Sequence, residues 1–341
     1  MLNHYSDNDT VLVTGGAGYI GSHAVHHLLD HGITPVIIDN LATGIRNAIP
    51  DGVPFYEGSV GDDDLLDRIF TDHAIKAVLH FAGSVVVPES VSNPGKYFTN
   101  NTSNTLTLLN AMVRASVGEF VFSSTAAVYG MPDETDIPVR EDAPTRPINP
   151  YGASKLMSEM MIRAMAETHD LKAVMLRYFN VAGADRKGRV GQSTPEATHL
   201  IKIVSEVAAG RRDGMQIFGN DYDTPDGTCV RDYIHVDDLI HAHLLALDYM
   251  ASPSMTDTTL TLNCGYGKGF SVLDVIESAG RISGKNIPVT IAPRRAGDPP
   301  LLTADSSACQ TILGWTPEAN DLDTIIKTAL DWEISRATNA S

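Results

Sequence analysis

The chain has 341 residues, of which 43% are hydrophobic and 20% are charged, as in a globular protein rather than a fibrous or disordered one. The formal net charge of −17 opposes binding to nucleic acid and to anionic membranes, and the three widely spaced cysteines form neither a disulfide framework nor a zinc knuckle. The N-terminal residues do not resemble a secretory signal and no apolar run could span a bilayer, so we expect a cytoplasmic location.

Short apolar runs alternate with helical patterns in the first half of the chain. The segments predicted as strands are 10–14, 34–39, 76–82, 119–124 and 172–179, and those predicted as helices are 19–31, 63–70, 96–115 and 152–169. Nearly continuous β-branched strands separated by helices predict a parallel sheet that helices cover on both faces. The fold class is therefore α/β.

The pattern changes beyond residue 180. Loops rich in Gly, Arg and Pro alternate there with helices, the loops at 183–195 and 219–231 and the helices near 196–209, 236–249 and 271–283. We predict a first domain over residues 1–180, to which a segment near 232–265 returns. Residues 181–341 are predicted to form a smaller mixed α/β domain.

Gly15, Gly18 and Gly21 lie between the first predicted strand and the first predicted helix, in TGGAGYIG. Glycines at this spacing let the backbone turn tightly and approach a pyrophosphate, to which the helix N-terminus presents free N–H groups. Asp39 ends the second strand, where a carboxylate accepts hydrogen bonds from ribose hydroxyls and repels a 2′-phosphate. The pattern predicts a Rossmann-type doubly wound sheet that binds NAD rather than NADP.

Tyr151 and Lys155 stand one helical turn apart in NPYGASK, where Asn149 is a candidate N-cap. Their helix follows the fourth predicted strand, whose end is where cofactor chemistry is expected. A tyrosine hydroxyl with a pKa of about 10 is a poor base near neutrality. A lysine and a cationic nicotinamide could together lower this pKa by about 3 units, which requires roughly 4 kcal/mol. The spacing therefore predicts a catalytic pair.

Three hydroxyl residues end the fourth predicted strand. They are Ser123, Ser124 and Thr125. Any one of them could hydrogen-bond a reacting oxygen, or could merely cap the end of the strand.

Longer motifs extend the pattern over nearly the whole chain, about residues 9–335. Besides the glycine turn and the tyrosine–lysine pair, they are HFAGSVVVPES, SSTAAVYG, LRYFNVAGA, IFGNDYDTPDGTCVRDYIHVDDL and APRRAGD. This series resembles the extended short-chain dehydrogenase/reductase family and, within it, the UDP-glucose 4-epimerases. The resemblance implies reversible C4 epimerisation of UDP-glucose and UDP-galactose with bound NAD, through a 4-keto intermediate, in a homodimer.

The resemblance also implies a role for individual residues. Tyr151 is the catalytic acid and base, Lys155 holds it as phenolate and binds the nicotinamide ribose, and Thr125 stands where the family usually has a catalytic serine. The positions that match cofactor contacts are Gly15, Gly18, Tyr19, Ile20, Gly21, Asp39, Asn40, Phe81, Ala82, Gly83, Asn100, Tyr151, Lys155 and Phe179. The positions that match UDP-sugar contacts are Thr125, Asn180, His199, Leu200, Gln216, Phe218, Arg231, Arg295 and Asp298.

Three positions depart from the family pattern and leave alternatives open. Ser59 replaces an adenine-binding aspartate of many members, and Val85 replaces a lysine of some members. Leu302 stands where some members have a tyrosine that limits the sugar pocket, so a 4-epimerase of UDP-N-acetylhexosamines or UDP-pentoses remains an alternative. Ala126 and Ala127 supply no acid for a dehydratase or decarboxylase, and a non-catalytic NAD-binding protein would not need the tyrosine–lysine pair.

Histidines recur every four residues on the first predicted helix, at His23, His27 and His31. Histidines at this spacing can bind zinc, but no carboxylate motif completes a site. We predict a solvated or partly packed helix face there and no metal site.

Overall fold

The computed structural model describes residues 2–194, 197–295 and 298–338. The strands are β1 (Thr10–Thr14), β2 (Thr34–Asp39), β3 (Phe55–Glu57), β4 (Ile75–His80), β5 (Glu119–Ser123), β6 (Lys172–Tyr178), β7 (Asn180–Ala182), β8 (Met215–Phe218), β9 (Val230–His235), β10 (Thr259–Cys264), β11 (Gly269–Ser271), β12 (Val289–Ala292) and β13 (Leu301–Leu302). The helices are α1 (Tyr19–Asp30), α2 (Asp63–Asp72), α3 (Val87–Ser92), α4 (Pro94–Tyr97), α5 (Asn104–Arg114), α6 (Pro150–Thr168), α7 (Leu200–Ala208), α8 (Val236–Ala251), α9 (Val272–Ser283), α10 (Ser307–Leu313) and α11 (Leu322–Thr338).

A seven-stranded sheet forms the centre of the molecule, with the strand order β10-β6-β5-β4-β1-β2-β3. All of its neighbouring strands are parallel. From β1 the chain first builds outward through β2 and β3, then crosses to β4 on the other side of β1. This reversal is the feature that places ligand sites in doubly wound sheets. The predicted Rossmann-type parallel sheet is therefore confirmed.

Alternate residues of each central strand pack on opposite faces of this sheet, because side chains in a strand point alternately to its two sides. Val11 and Val13 of β1 are buried in a cluster with residues of α1 and α8. Leu12, between them, is buried in a second cluster with residues of α2, α5 and α6. Each fully buried aliphatic side chain of this size stabilises the fold by roughly 1.5–3 kcal/mol relative to its exposure to water.

Smaller sheets and three helices make up the rest of the molecule. β9 pairs with β7, β11 and β13, and β8 pairs with β12. α7, α9 and α11 pack on a third apolar cluster that includes Ile201, Val275 and Ile326. The chain also returns to the central sheet, because β10 pairs with β6 and α8 packs on β5 and β6. Within the described ranges, no helix is both long and apolar enough to cross a membrane.

The structure differs from the predicted elements in several places, and α11, β9 and β10 are elements that the sequence patterns did not predict. The predicted helix over 96–115 is α4, a π-helical turn at Phe98–Ser103, and α5 in succession. The helix predicted from 196 begins at Leu200, while residues 195 and 196 lie outside the described ranges. β3 and β13 were not predicted, because two or three residues carry no detectable period.

Several histidines are buried in the central layers and bonded as neutral rings. His80 on β4 bonds Thr14 Oγ1 at 2.6 Å and Thr105 Oγ1 at 2.9 Å. Burial lowers the pKa of His80 to about 3 and the pKa of His23 and of His243 to about 4. A chain that unfolds in mild acid must therefore protonate these rings.

We expect this protein to lose stability steeply below pH 6.5. The pKa of each of these three histidines lies below its ordinary value of 6.5 in the fold, so their stabilising contribution is complete above pH 6.5 and is lost as pH falls toward 4. Uptake of roughly three protons on unfolding corresponds to roughly 4 kcal/mol per pH unit near pH 5. Denaturant unfolding between pH 4.5 and 7.5 measures this slope.

Two variants separate this effect from general acid lability. His80→Asn should lower the slope by roughly 1.4 kcal/mol per pH unit, the contribution of one proton, whatever it does to stability at neutral pH. The exposed His169, changed to Gln, should leave the slope as it is. A slope that is the same in His80→Asn as in the natural chain would contradict the prediction.

Candidate active site

The ends of four adjacent strands form the edge at which the candidate site lies. β1, β4, β5 and β6 are neighbours and run in the same direction, so the residues that follow them meet at one edge. The glycine turn follows β1, Phe81 follows β4, Thr125 lies just beyond β5 and Phe179 follows β6. Residues far apart in the sequence are thereby brought together.

The turn between β1 and α1 requires glycine at two of its positions. Gly15 has a φ of 70°, and a Cβ there would lie 2.7 Å from the backbone nitrogen of Ala82. A Cβ at Gly21 would lie 2.1 Å from the carbonyl oxygen of Gly15. Gly18 is the N-cap of α1 and offers no side-chain cap, so the first N–H groups of α1 remain open to a ligand. The backbone here can approach a diphosphate closely.

Asp39 fixes the glycine turn to the end of β2. Its carboxylate accepts the amide hydrogens of Ala17 at 2.9 Å and of Leu41 at 2.8 Å. Burial raises the pKa of Asp39, and these backbone hydrogen bonds oppose the shift. The predicted bond to a ribose would add to this structural role, since a carboxylate has lone pairs for more than two donors.

Tyr151 and Lys155 lie one turn apart on α6, and both side chains are buried. The helix begins just before Tyr151 because Asn149 caps it, accepting the amide hydrogen of Gly152 at 2.9 Å. Nζ of Lys155 donates to the carbonyl oxygen of Ser123 at 2.9 Å. This hydrogen bond therefore holds the Tyr151–Lys155 pair of α6 against the end of β5.

The polypeptide by itself does not favour a Tyr151 phenolate. Burial raises the pKa of Tyr151, although the neighbouring Thr125 hydroxyl lowers it in part. Burial also lowers the pKa of Lys155 to about 8. A lowered tyrosine pKa, as the sequence analysis expects, therefore depends on positive charge beyond that of Lys155.

The three strand-end hydroxyls have different partners. The Ser123 hydroxyl lies 3.1 Å from His243 Nε2, and the Ser124 hydroxyl donates to Glu159 at 2.6 Å. Thr125 accepts the amide hydrogen of Ala127 at 3.1 Å and lies against Tyr151. Of the three candidates left open by the sequence, Thr125 is the one whose hydroxyl lies beside Tyr151.

The π-helical turn after α4 brings two asparagines to the site. Asn100 donates to the Ser84 hydroxyl at 3.0 Å. Asn101 accepts the amide hydrogen of Ser84 at 2.7 Å and donates to the Ser154 hydroxyl at 3.0 Å. Sequence reasoning missed Asn101, which ties the loop after β4 to α6. Single π turns are frequent at functional sites, but they leave no sequence period.

The remaining predicted cofactor positions lie along the same edge. They are Tyr19 and Ile20 in the first turn of α1, Asn40 after β2, and Phe81, Ala82 and Gly83 after β4. The Tyr19 hydroxyl donates to the carbonyl oxygen of Gly183 at 2.8 Å, so this side chain also contacts the segment after β7.

The predicted substrate positions on β9 and its neighbours form one group. Arg231 on β9 pairs in register with Leu302 on β13, and its Nη2 lies 3.8 Å from Asp298 Oδ1. Asn180 on β7 donates to the carbonyl oxygen of Asp232 at 3.2 Å. Register thus places Leu302 beside Arg231, while Asn180 is in register with Tyr233, two residues further along β9.

Other predicted substrate positions lie on β8, α7 and the segment after β12. The Arg295 guanidinium stacks 3.7 Å from the centre of the Phe218 ring, and Gln216 lies two residues before Phe218 on β8. His199, just before Leu200, bonds the Gln192 side chain at 2.8 Å.

The three departures from the family pattern have distinct environments. The Ser59 hydroxyl accepts the amide hydrogen of Gly61 at 3.0 Å, and Val85 is exposed. Leu302 is buried in a small apolar cluster with Ala126 and Phe179. Leu302 therefore lies close to both the cofactor edge and the strand-end hydroxyls.

Two carboxylates that are distant from His27 in the sequence lie close to it in the fold. Donor atoms of His27, Asp185 and Asp237 lie within 4.8 Å of one another. Both carboxylates already have cationic partners, Arg189 for Asp185 and Arg186 for Asp237. We interpret this group as an ion-pair cluster that joins α1 to the N-terminus of α8. The helix face is more packed than the sequence suggests, because the partners come from distant segments.

Known proteins resemble the chain over nearly its full length. The UDP-glucose 4-epimerase of Azospirillum brasilense is 55% identical over 335 residues, which are 98% of this chain and 95% of that protein. The crystal structure of UDP-glucose 4-epimerase from Brucella ovis in complex with NAD has a TM-score of 0.90 at 43% identity, covering 96% of this chain and 98% of that one. The UDP-Glc/GlcNAc 4-epimerase of Campylobacter jejuni has a TM-score of 0.82 at 45% identity, covering 96% and 99%.

A family model matches as well, over residues 11–260, a range that contains the glycine turn and the tyrosine–lysine pair. With the doubly wound sheet and the buried pair at its edge, this match makes the chain a member of the NAD dependent epimerase/dehydratase family.

Proposed function

We propose that this chain catalyses the reversible epimerisation of UDP-glucose and UDP-galactose at C4 of the sugar, using bound NAD. The observation that carries the proposal is the position of Tyr151, which lies against Thr125 and one turn from Lys155 at the edge formed by the glycine turn. The names of the full-length relatives support the same reaction.

The residues at the edge fit NAD. A Cβ at Gly15 or Gly21 would occupy the space next to the backbone, so the turn is built for close approach. The uncapped N-terminus of α1 would hold the diphosphate, and Asp39 would hold the adenosine ribose. Bound NAD would supply a reversible hydride acceptor for C4 of the sugar, so the reaction needs no net oxidant.

The protein contributes a base, an orienting hydroxyl and a cation to this reaction. Tyr151 takes the proton from the 4-hydroxyl as the sugar is oxidised to the 4-keto form, and returns a proton when it is reduced. Thr125 hydrogen-bonds the same oxygen, although its methyl group restricts the rotamer. Lys155 keeps a positive charge beside the phenol and binds the nicotinamide ribose.

Epimerisation requires a firm hold on the nucleotide and a loose hold on the sugar, because the keto sugar must turn over before it is reduced. Arg231 and Arg295 suit the diphosphate, since a guanidinium can bind two phosphate oxygens at once. The other members of this UDP-sugar set are Asn180, His199, Leu200, Gln216, Phe218 and Asp298.

We further propose that two parts of the chain bind different ligands. Residues 1–180, with the returning segment near 232–265, would bind NAD, and residues 181–341 would bind the UDP-sugar.

We also propose that the protein is a cytoplasmic homodimer. An exposed apolar patch supports the dimer: Val91 of α3, Leu106 of α5, and Met157 and Met160 of α6 are exposed on helices that pack together. Such a patch is typical of an interface between copies.

Replacement of Tyr151 by Phe should abolish most of the activity. The purified chain, given UDP-galactose and no added oxidant, should form UDP-glucose, and Tyr151→Phe should lower kcat by about 10²–10⁴-fold because it removes the general acid and base. Product formation followed by chromatography measures both. Near-normal turnover by this variant would overturn the assignment.

Two controls accompany that measurement. Tyr56→Phe changes a tyrosine of the β3 strand that bonds Asp72 and His73, and it should leave kcat unchanged. Thr125→Ser keeps the strand-end hydroxyl and should stay active, whereas Thr125→Val should lose activity.

The width of the sugar pocket should depend on Leu302. Since Leu302 packs with Ala126 and Phe179, Leu302→Tyr should add bulk beside the sugar. We expect it to lower kcat/KM for UDP-N-acetylglucosamine by at least about 10-fold relative to UDP-glucose, because pocket contacts of one or two groups change specificity by this order. Equal effects on both substrates would show that Leu302 does not limit the pocket.

The exposed apolar patch should be the dimer contact. Sedimentation velocity should show a dimer for the natural chain and a monomer for Met157→Glu/Met160→Glu, since charges in an apolar interface are strongly unfavourable. Ile291→Glu, at an exposed apolar position on β12, should remain dimeric. A natural chain that sediments as a monomer would refute the proposed dimer.

A further inference from the structure

We propose that Glu159 is a positioning residue of the catalytic pair, whose buried carboxylate keeps the Lys155 ammonium charged and holds the strand end that carries Thr125. This inference deepens the proposed function and rests on it for the role of Lys155.

Glu159 stands one turn beyond Lys155 and two turns beyond Tyr151 on α6. Residues four apart on a helix are neighbours on its surface, so the carboxylate and the ammonium share one face. Glu159 is fully buried and Lys155 is 3% exposed. Charges in such a place are screened little by water and act strongly on one another.

The surroundings of Glu159 keep it ionised. Oε1 accepts the Ser124 hydroxyl at 2.6 Å and Arg177 Nε at 2.9 Å. Oε2 accepts Arg177 Nη2 at 2.7 Å and Arg163 Nη2 at 3.1 Å. Burial alone would raise the pKa of Glu159, but Arg177, with help from Ser124 and Arg163, holds it below the ordinary value.

Lys155 has no comparable support from the other elements around it. From β5 it meets the Ser123 carbonyl oxygen at 2.9 Å and the Phe122 ring at 4.8 Å. His80 of β4 faces it as a neutral ring, since burial lowers the pKa of His80 to about 3. Tyr151 of α6 is a neutral phenol in the protein alone, because burial raises its pKa.

Glu159 is therefore the anion that counters the desolvation of Lys155. Burial lowers the pKa of Lys155 to about 8, and the Glu159 carboxylate opposes this shift. A Lys155 pKa near the working pH means that a further fall would leave much of the enzyme without its cation. The electrostatic attraction between the Glu159 carboxylate and Lys155 thus sets the fraction of the protein in which Lys155 is charged.

Arg177 supports the charge on Glu159. It donates to both carboxylate oxygens, and without it burial would favour the neutral carboxylic acid. Arg177→Met should therefore weaken the support that Glu159 gives to Lys155, while Glu159→Gln removes that support outright. Both variants should lower the Lys155 titration midpoint.

Glu159→Gln also separates charge from hydrogen bonding. The side-chain amide keeps an acceptor oxygen for the Ser124 hydroxyl, so the end of β5 and the adjacent Thr125 should remain in place. The bonds that Oε2 accepts from Arg177 and Arg163 are lost together with the charge. The hold on the strand end is therefore kept in this variant, whereas the electrostatic effect on Lys155 is not.

Titration of Lys155 by NMR tests the proposal directly. The protein labelled with ¹⁵N-lysine, with Lys155→Met used for assignment, reports the midpoint of the Nζ signal as pH is varied. We expect the midpoint to fall by about one pH unit in Glu159→Gln and to fall in Arg177→Met as well. The alkaline limb of the kcat profile for UDP-galactose should move in the same direction, with KM changed less than about 3-fold.

Arg163→Met is the matched control. It removes the partly exposed partner of Glu159 while Arg177 stays bound, so the Lys155 midpoint should move much less than in Glu159→Gln. If Glu159→Gln does not fold, Arg177→Met still gives a signed result. A Lys155 midpoint that stays in place in whichever of these two variants folds would overturn the proposal.

The outcomes distinguish this inference from the proposed reaction. A natural chain that does not interconvert the two UDP-sugars, together with a lowered Lys155 midpoint in the two variants, would refute epimerisation and leave the electrostatic role of Glu159 standing. An active enzyme whose Lys155 midpoint is insensitive to Glu159 would support epimerisation and refute the electrostatic role of Glu159.

Discussion

The Lys155 ammonium lies where water is nearly excluded, and withdrawal of a cation from water costs several kcal/mol unless fixed partners replace the lost hydration. Much of the site can be understood as a response to this cost. A carbonyl oxygen of β5 accepts from the ammonium, an aromatic ring of the same strand lies beside it, and an ionised carboxylate stands one turn along its helix. The two partners on β5 require β5 and α6 to keep a fixed separation.

That separation is maintained by a polar network behind Tyr151 and Lys155. Arg177 of β6 binds Glu159 and also donates to the Tyr129 hydroxyl at 3.0 Å, which in turn donates to Asn263 at 2.7 Å. Asn263 belongs to β10, the last strand to join the central sheet. The network therefore connects α6 to a strand that follows it by about a hundred residues. A buried network of this kind holds geometry well because every member would lose its partners if one moved.

Sequence patterns predicted the parts of this arrangement that are local. β1 and β2 have the predicted bounds, because continuous β-branched runs are easily recognised. The doubly wound sheet and the family were likewise predicted and are confirmed. The roles of the individual site residues stay predictions, although the structure gathers Tyr151, Lys155 and Thr125 at one edge. What the sequence could not provide is the partner of each polar group. Ser124 and Thr125 are adjacent and chemically alike, and tertiary packing alone turns one toward Glu159 and the other toward Tyr151.

The parallel pairing of β9 with β13 has a consequence for how substrate range could change. Leu302, which would bound the hexose, sits in register with Arg231, which would grip the diphosphate, and β13 is two residues long. Because β13 is so short, its backbone at Leu302 cannot shift without disturbing the pairing with Arg231 on β9. Bulkier sugars could thus be admitted by exchanging the side chain at position 302, whereas an insertion or deletion there would disturb nucleotide affinity at the same time. Selection for a different UDP-sugar should accordingly favour point substitutions over changes of loop length in this part of the fold.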